Sequence, residues 1–232
     1  MQLLRRHRLA QIEVRDTSKI YRIGDNVIRA VDRVSLNVNR GEFVSIIGHS
    51  GSGKTTLLSM IGGILRNSEG EVLYNGTDIY RLREDELSKY RAKKVGYIFQ
   101  FASLLPVLTA KENLLLPTIF SKNGSKPGGK KAEEYLDMVG LKDKIHAYPS
   151  QLSGGQQRRV AIARSMMNDP ELILGDEPTG DLDEETELQI MDLLGRVNRQ
   201  NSVTIIFVTH NSELAGTASK QLKMSNGRLH EI

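Results

Sequence analysis

Nine residues, Gly48-His49-Ser50-Gly51-Ser52-Gly53-Lys54-Thr55-Thr56, carry the clearest chemistry in this sequence. They fit the spacing G-x-x-x-x-G-K-[ST], in which a glycine-rich loop curls its backbone N–H groups around phosphate oxygens. Glycines are needed because the loop visits backbone angles that a Cβ opposes, and because bulky side chains would keep phosphate off the amides. Lys54 is placed for the β- and γ-phosphates and the Thr55 hydroxyl for Mg²⁺. Two acids, Asp176-Glu177, end the apolar run Leu172-Ile173-Leu174-Gly175. An apolar strand delivering carboxylates to its carboxyl end is where an open α/β sheet places its chemistry, although paired acids there also serve as helix caps. A second apolar run, Val203–Val208, ends at Thr209-His210, and a histidine there is either structural or part of a site.

These groups need elements to hold them. Phe43–Ile47 reads as a buried strand entering the glycine-rich loop, and Leu57, Leu58, Ile61, Ile64 and Leu65 follow at helical spacing. Such a helix turns its N-terminal partial positive charge toward the phosphates. Upstream, residues 9–47 read as short strands: Ile12 and Val14 alternate with polar residues, as do Val34, Leu36 and Val38. Tyr21 lies in the first of these stretches, where packing is the ordinary role of a tyrosine. Asn75-Gly76 and Asn226-Gly227 predict tight hairpin turns, and Val95–Phe99 a strand ending at Gln100. Phe101–Leu108 is apolar but shows neither strand nor helix period. Thr109-x-x-Glu112 is a capping box opening a helix. Ser121–Lys131 reads as a polar connection, followed by a helix with Ala132, Tyr135, Leu136 and Val139 on one face, stopped at Gly140. Ser153 caps a further helix running to Met167. Thr186, Ile190, Leu193, Leu194 and Val197 mark another, and Val203–Val208 is the last parallel strand expected. Helices thus dominate from 109 to about 169 and strands on either side, so a helical subdomain inserted into a nucleotide-binding core is expected.

Composition narrows the class. The 232 residues are 39% hydrophobic and 26% charged, with a net charge of +4 and no cysteine. Disulfides and thiolate chemistry are excluded. No basic stripe with interleaved aromatics marks a nucleic-acid partner. The dense basic patch Arg5-Arg6-His7-Arg8 reads as a solvated tail, with contact to an anionic membrane surface as the alternative. No apolar run approaches the roughly 20 residues that span a bilayer, and no signal-peptide core is present, so a soluble chain is expected unless a partner holds it at a membrane.

The glycine-rich loop, Leu152-Ser153-Gly154-Gly155-Gln156 and Leu172–Glu177, in that order, resemble the ATP-binding cassette (ABC) family of ATPases from about residue 10 to 232. The resemblance implies an α/β fold: a P-loop NTPase core with a mixed sheet, an antiparallel β subdomain and an inserted α-helical subdomain. It places one cassette over 1–232, with the core at 9–100 and 170–232 and the helical subdomain at 101–169. It implies ATP and Mg²⁺ as cofactors and head-to-tail homodimers sandwiching two ATP molecules. It implies that Tyr21 stacks on adenine and that residues 48–56 hold phosphate. Gln100, Thr55 and Asp176 would serve Mg²⁺, Gln100 and Glu177 the attacking water, and His210 the γ-phosphate. Gly180-Asp181-Leu182-Asp183 occupies the D-loop. Ser153, Gly154, Gly155 and Gln156 would meet the phosphate held by the partner subunit.

Glu177-Pro178-Thr179-Gly180-Asp181-Leu182-Asp183 is similar to the form found in ATPases of the macrolide-export and lipoprotein-release type. That likeness implies a transmembrane permease partner and a cytoplasmic position on the inner face of the membrane. Gly175 stands where such sequences often have alanine, and Ala102-Ser103 where a bulky aromatic and asparagine are common. An importer ATPase, or an ATP-switched regulatory module of a membrane complex, are the alternative readings. Residues 100–108, apolar and joined to Gln100, are expected to form the groove for the membrane partner.

Overall fold

Two long antiparallel strands, β1 (Ile12–Ile23) and β2 (Asn26–Val38), open the computed structural model, which describes residues 10–119 and 128–232. The basic patch at 5–8 and the polar connection over 121–127 lie outside the described residues. Short strands were expected over 9–47 because the alternation of apolar residues breaks off after Val14. The cause is a set of register shifts between Val14 and Ile20, which reverse the side-chain phase while the ladder continues. The hairpin turns at Gly24, whose φ of 60° suits glycine.

β1 also pairs with β4 (Glu69–Tyr74), and β5 (Thr77–Asp78) pairs with β4, giving an antiparallel sheet of order β2-β1-β4-β5. Asn75 and Gly76 take φ of 49° and 79°, the left-handed pair that a tight hairpin demands.

The second sheet holds six strands in the order β10-β9-β3-β8-β7-β6. Its members are β3 (Phe43–Ile47), β6 (Val95–Ile98), β7 (Leu172–Asp176), β8 (Thr204–Thr209), β9 (Lys220–Ser225) and β10 (Arg228–Glu231). β9 runs parallel to β3, so β8 is not the last parallel strand, contrary to the sequence reading. Lys220, Gln221 and Lys223 hide β9 from a search for apolar runs, since only Leu222 and Met224 are buried. β10 closes the sheet as an antiparallel edge after Asn226-Gly227.

Both faces of the parallel strands are covered, which is why they read as unbroken apolar runs. Phe43, Ile173, Ile205 and Phe207 face one core, built with the helices that follow β6 and β7. Val44, Ile46, Leu172, Leu174, Ile206 and Val208 face the other, against α1 (Lys54–Ile61) and the antiparallel sheet. Leu57, Leu58, Met60 and Ile61 of α1 are fully buried there, each contributing about 1.5–3 kcal/mol from apolar burial.

The remaining helices are α2 (Glu84–Lys94), α3 (Ala110–Ile119), α4 (Gly129–Met138), α5 (Gly154–Ser165), α6 (Glu184–Asn201) and α7 (Ser212–Ala215). α2 was not anticipated, because only Leu87 and Tyr90 are buried along it. Its signal is electrostatic: Glu84, Asp85 and Glu86 in the first turn and Arg91, Lys93 and Lys94 in the last complement the helix dipole. α4 begins at Gly129, inside the span read as connection, and Gly140 at φ 75° follows its end as expected. The Thr109–Glu112 capping box forms, with the Glu112 carboxylate accepting from both the N–H and the hydroxyl of Thr109.

Candidate active site

Strand register brings the chemistry to one line. Ile47 pairs with Thr209, Asp176 with Val208, and Ile98 with Gly175. The carboxyl ends of β3, β8, β7 and β6 therefore finish side by side. The loop 48–53, Glu177, His210 and Gln100 each begin one or two residues beyond those ends, as an open α/β sheet requires of a ligand site.

The loop is shaped by contacts that only glycine permits. Gly53 sits at φ 104°, and a Cβ there would lie 2.0 Å from the Ala30 carbonyl oxygen. A Cβ on Gly48 would lie 2.3 Å from that of Met224. No side chain caps α1 and its first turn carries no acid, so its leading amides face outward with a bare positive dipole end. Lys54 is buried and donates to the carbonyls of Gly48 (2.6 Å) and His49 (3.0 Å). The Ser52 hydroxyl is buried with no hydrogen-bond partner among the described residues. An orphaned hydroxyl, a free helix start and a buried ammonium form a cradle suited to phosphate. His49 takes part through its carbonyl, its ring being at an exposed position.

Thr55 and Asp176, 121 residues apart, meet: the threonine hydroxyl donates to the carboxylate at 2.9 Å. Burial pushes the Asp176 carboxyl above its ordinary range, with Glu177 adding and Thr55 and Lys54 opposing. Burial likewise pulls the Lys54 ammonium below its ordinary value, against the pull of Glu177 and Asp176. Both groups thus stand ready for ligand charge of the opposite sign. No cluster of three or more His, Cys, Asp or Glu able to hold a metal exists among the described residues. One hydroxyl beside one carboxylate instead suits Mg²⁺, which keeps water and phosphate oxygens as its other ligands.

Glu177 adopts φ 45°, a left-handed conformation uncommon for glutamate. Its N–H donates to the Val208 carbonyl (3.1 Å) and its carbonyl accepts from Gly180 (3.0 Å). This turn sets the carboxylate 3.1 Å from Nδ1 of His210. The helix-capping role open to acids after a strand falls to Asp183, which accepts from both the N–H and the hydroxyl of Thr186. Gly175 leaves little slack, since a Cβ there would come within 3.3 Å of Phe207 Cβ.

Tyr21 lies on the strand paired with β2, which borders the loop. It pairs with Ile28, two residues (about 7 Å along a strand) from Ala30, the residue that touches Gly53. Tyr21 is 38% exposed, outside the buried core, and Lys19 Nζ lies 5.4 Å from its ring centroid.

Ser153, Gly154, Gly155 and Gln156 stand apart from this group. Ser153 is exposed and caps α5, accepting from Gln156 N–H (3.3 Å), while the Gln156 side chain accepts from Ser153 N–H (3.0 Å). Gln156 is thus engaged within its own helix. A Cβ on Gly155 would lie 2.6 Å from Thr186 Cγ2, so this glycine lets α5 approach α6. α5 packs mainly on α3, α4, α6 and β6, whereas α1 packs on β1, β2, β7 and β8. The sequence reading missed Arg158, a charge on the inward face of α5 and 4% exposed; its signal was an arginine four residues before Ile162.

The chain is similar to known proteins over most of its length. The ABC transporter family model matches residues 31–180. The lipoprotein-releasing system ATP-binding protein LolD of Syntrophus aciditrophicus is 39% identical over 94% of this chain and 98% of its own length. The macrolide export ATP-binding/permease protein MacB of Bdellovibrio bacteriovorus is 42% identical over 93% of this chain, which spans 33% of that longer protein. A solved structure of the ATP-binding cassette MJ0796, a dimeric post-hydrolysis state bound to ADP and Pi, superposes with a TM-score of 0.87 at 40% identity, covering 95% of this chain and 98% of that one.

Proposed function

As a member of the ABC transporter family, the chain is an ATP-binding and ATP-hydrolysing cassette, and we propose that its ATP-bound homodimer drives a transmembrane permease of export or extraction type. The observation that carries the catalytic part is the meeting of Lys54, Thr55, Asp176, Glu177 and His210 at adjacent strand ends. Lys54 and the amides opening α1 bind the β- and γ-phosphates. Thr55 and Asp176, with Gln100, would hold Mg²⁺, which would neutralise charge developing on the phosphates. Glu177 orients the attacking water, and His210, hydrogen-bonded to it, steadies that carboxylate and faces the γ-phosphate. Most of the work is electrostatic, since a leaving phosphoryl group needs its charge met rather than a covalent partner.

Tyr21 stacks on adenine with the face turned away from Lys19. Tyr21→Ala should cost about 1–3 kcal/mol of ATP binding, about 5- to 150-fold in Kd, with ATP and GTP little distinguished. Titration of a fluorescent nucleotide measures this, and unchanged affinity would mean that the ring only supports its sheet.

No helix among the described residues is long and apolar enough to cross a membrane. The names of the LolD and MacB relatives support an export or extraction permease as the membrane partner. The surface proposed to meet it is the irregular stretch after Gln100. Phe101 and Val107 are 68% and 78% exposed, and Leu105 is exposed beside them. Leu104 is excluded, since it packs against the helical core. Exposed apolar groups gathered in this way mark protein contacts. Phe101→Asp or Leu105→Asp should leave ATP binding intact and abolish co-purification with the permease. If both fold and still bring the permease down, docking lies elsewhere.

A further inference from the structure

The stretch 99–103 has no strand partner beyond Ile98, so its carbonyls lack a ladder. Two arginines of α5 take that place. Arg158 donates to the carbonyls of Phe99 (2.7 Å) and Gln100 (2.6 Å), and Arg164 to those of Ala102 (2.9 Å) and Ser103 (2.8 Å). Four of the five carbonyls from 99 to 103 are thus held by one helix.

Arg158 does more than fill them. Its second nitrogen also donates to the Gly180 carbonyl at 3.2 Å, and Gly180 N–H donates to the Glu177 carbonyl at 3.0 Å. One buried guanidinium therefore ties three segments: the helix that starts at Ser153, the backbone of Gln100, and the turn from Glu177 to Asp181. A planar fork with several donors reaches acceptors on two loops at once, which a lysine ammonium does poorly. Burial lowers the Arg158 pKa while nearby Asp181 opposes that.

We propose that Arg158 is a positioning residue for hydrolysis, locking Gln100 and the Glu177–Asp181 turn to the helix that presents Ser153, so that the three move as one body. This rests on the reading of Gln100, Glu177 and Ser153 given above. None of its hydrogen bonds reaches the loop 48–53, so it governs turnover and not nucleotide capture.

The test is steady-state ATPase of the full chain carrying Arg158→Gln or Arg158→Lys, with rates normalised to nucleotide-binding chains. Arg158→Gln should lower kcat by roughly tenfold or more while KM for ATP stays within about threefold, and Arg158→Lys should recover only part of the loss. A role confined to folding would lower the yield of binding-competent chain but leave kcat per such chain unchanged. Turnover within about threefold of the parent in both variants overturns the proposal. Glu177→Gln is run in parallel: if it loses turnover while the Arg158 variants do not, the lock fails and the site stands. If Glu177→Gln itself keeps turnover, the reading of the site fails first. Should neither Arg158 variant bind nucleotide, hydrogen exchange of the unsubstituted chain decides. Segments 99–103, 153–157 and 179–182 should gain protection together on addition of Mg²⁺ and ATP, and gains at separate ATP concentrations would overturn the lock.

Discussion

Glu177→Gln should bind ATP as well as the parent and lose turnover by about 10²–10⁴, the range for removing a general base or water-orienting group. The carboxylate sits in a turn fixed by two backbone hydrogen bonds and lies 3.1 Å from His210, so the substitution is isosteric and leaves the frame intact. It also removes one of the two acids whose fields act on Lys54. With less negative charge beside the γ-phosphate, ATP should persist and trap a dimer, visible as a shift in size exclusion. ADP should give no such shift. Turnover close to that of the parent would remove Glu177 from its assigned role.

Ser153→Arg should have an effect of similar size by another route. Ser153 is exposed at the start of α5, and that helix does not pack on α1 of its own chain to any large extent. A helix start with an exposed hydroxyl suits an anion, and in the proposed dimer the phosphate that meets it would be held by a second chain. Loss of the cap costs about 0.5–2 kcal/mol, against a total of about 5–15 kcal/mol for a domain, so the chain should stay folded. ATP binding by the isolated chain should survive, whereas dimer formation and turnover should be lost. Loss of ATP binding by the dilute monomer would instead place Ser153 in the site of its own chain.

The loop 48–56 was legible because its spacing is rigid: Gly48 and Gly53 answer to close contacts, as Gly53 does to the Ala30 carbonyl, and Gly51 to a φ of 76°. The buried strands were legible because both their faces are apolar, and the turns at Asn75-Gly76 and Asn226-Gly227 because their left-handed pairs select those residues. What failed did so for physical reasons. β9 alternates Leu222 and Met224 with lysines and glutamine at a position next to the sheet edge, so no apolar run announced it. α2 is held by charge order at its ends and buries two residues, which periodicity cannot detect. The continuation of β1 past Val14 was hidden by register shifts that reverse its phase.

At the site, types and spacing located Lys54, Asp176, Glu177 and His210, but not which acid caps the next helix. Asp183 takes that role through Thr186, leaving Asp176 with Thr55 and Glu177 with His210. Gln156 belongs to its own helix cap by its side chain, a reciprocity with Ser153 that three-residue spacing does suggest. Arg158 escaped because its partners are carbonyls of segments 58 and 22 residues away, which no motif records.

The central claim is that each ATP is held by Lys54 of one chain and Ser153 of another, and mixing two inactive chains tests it most directly. In a dimer of a Ser153→Arg chain with a Lys54→Ala chain, one composite site has both intact halves and the other has neither. The mixture should therefore hydrolyse ATP well above either protein alone, with a rate that rises more steeply than linearly with concentration when the chains are dilute. A mixture no more active than its two components, with mixed dimers shown to form, would contradict a shared site.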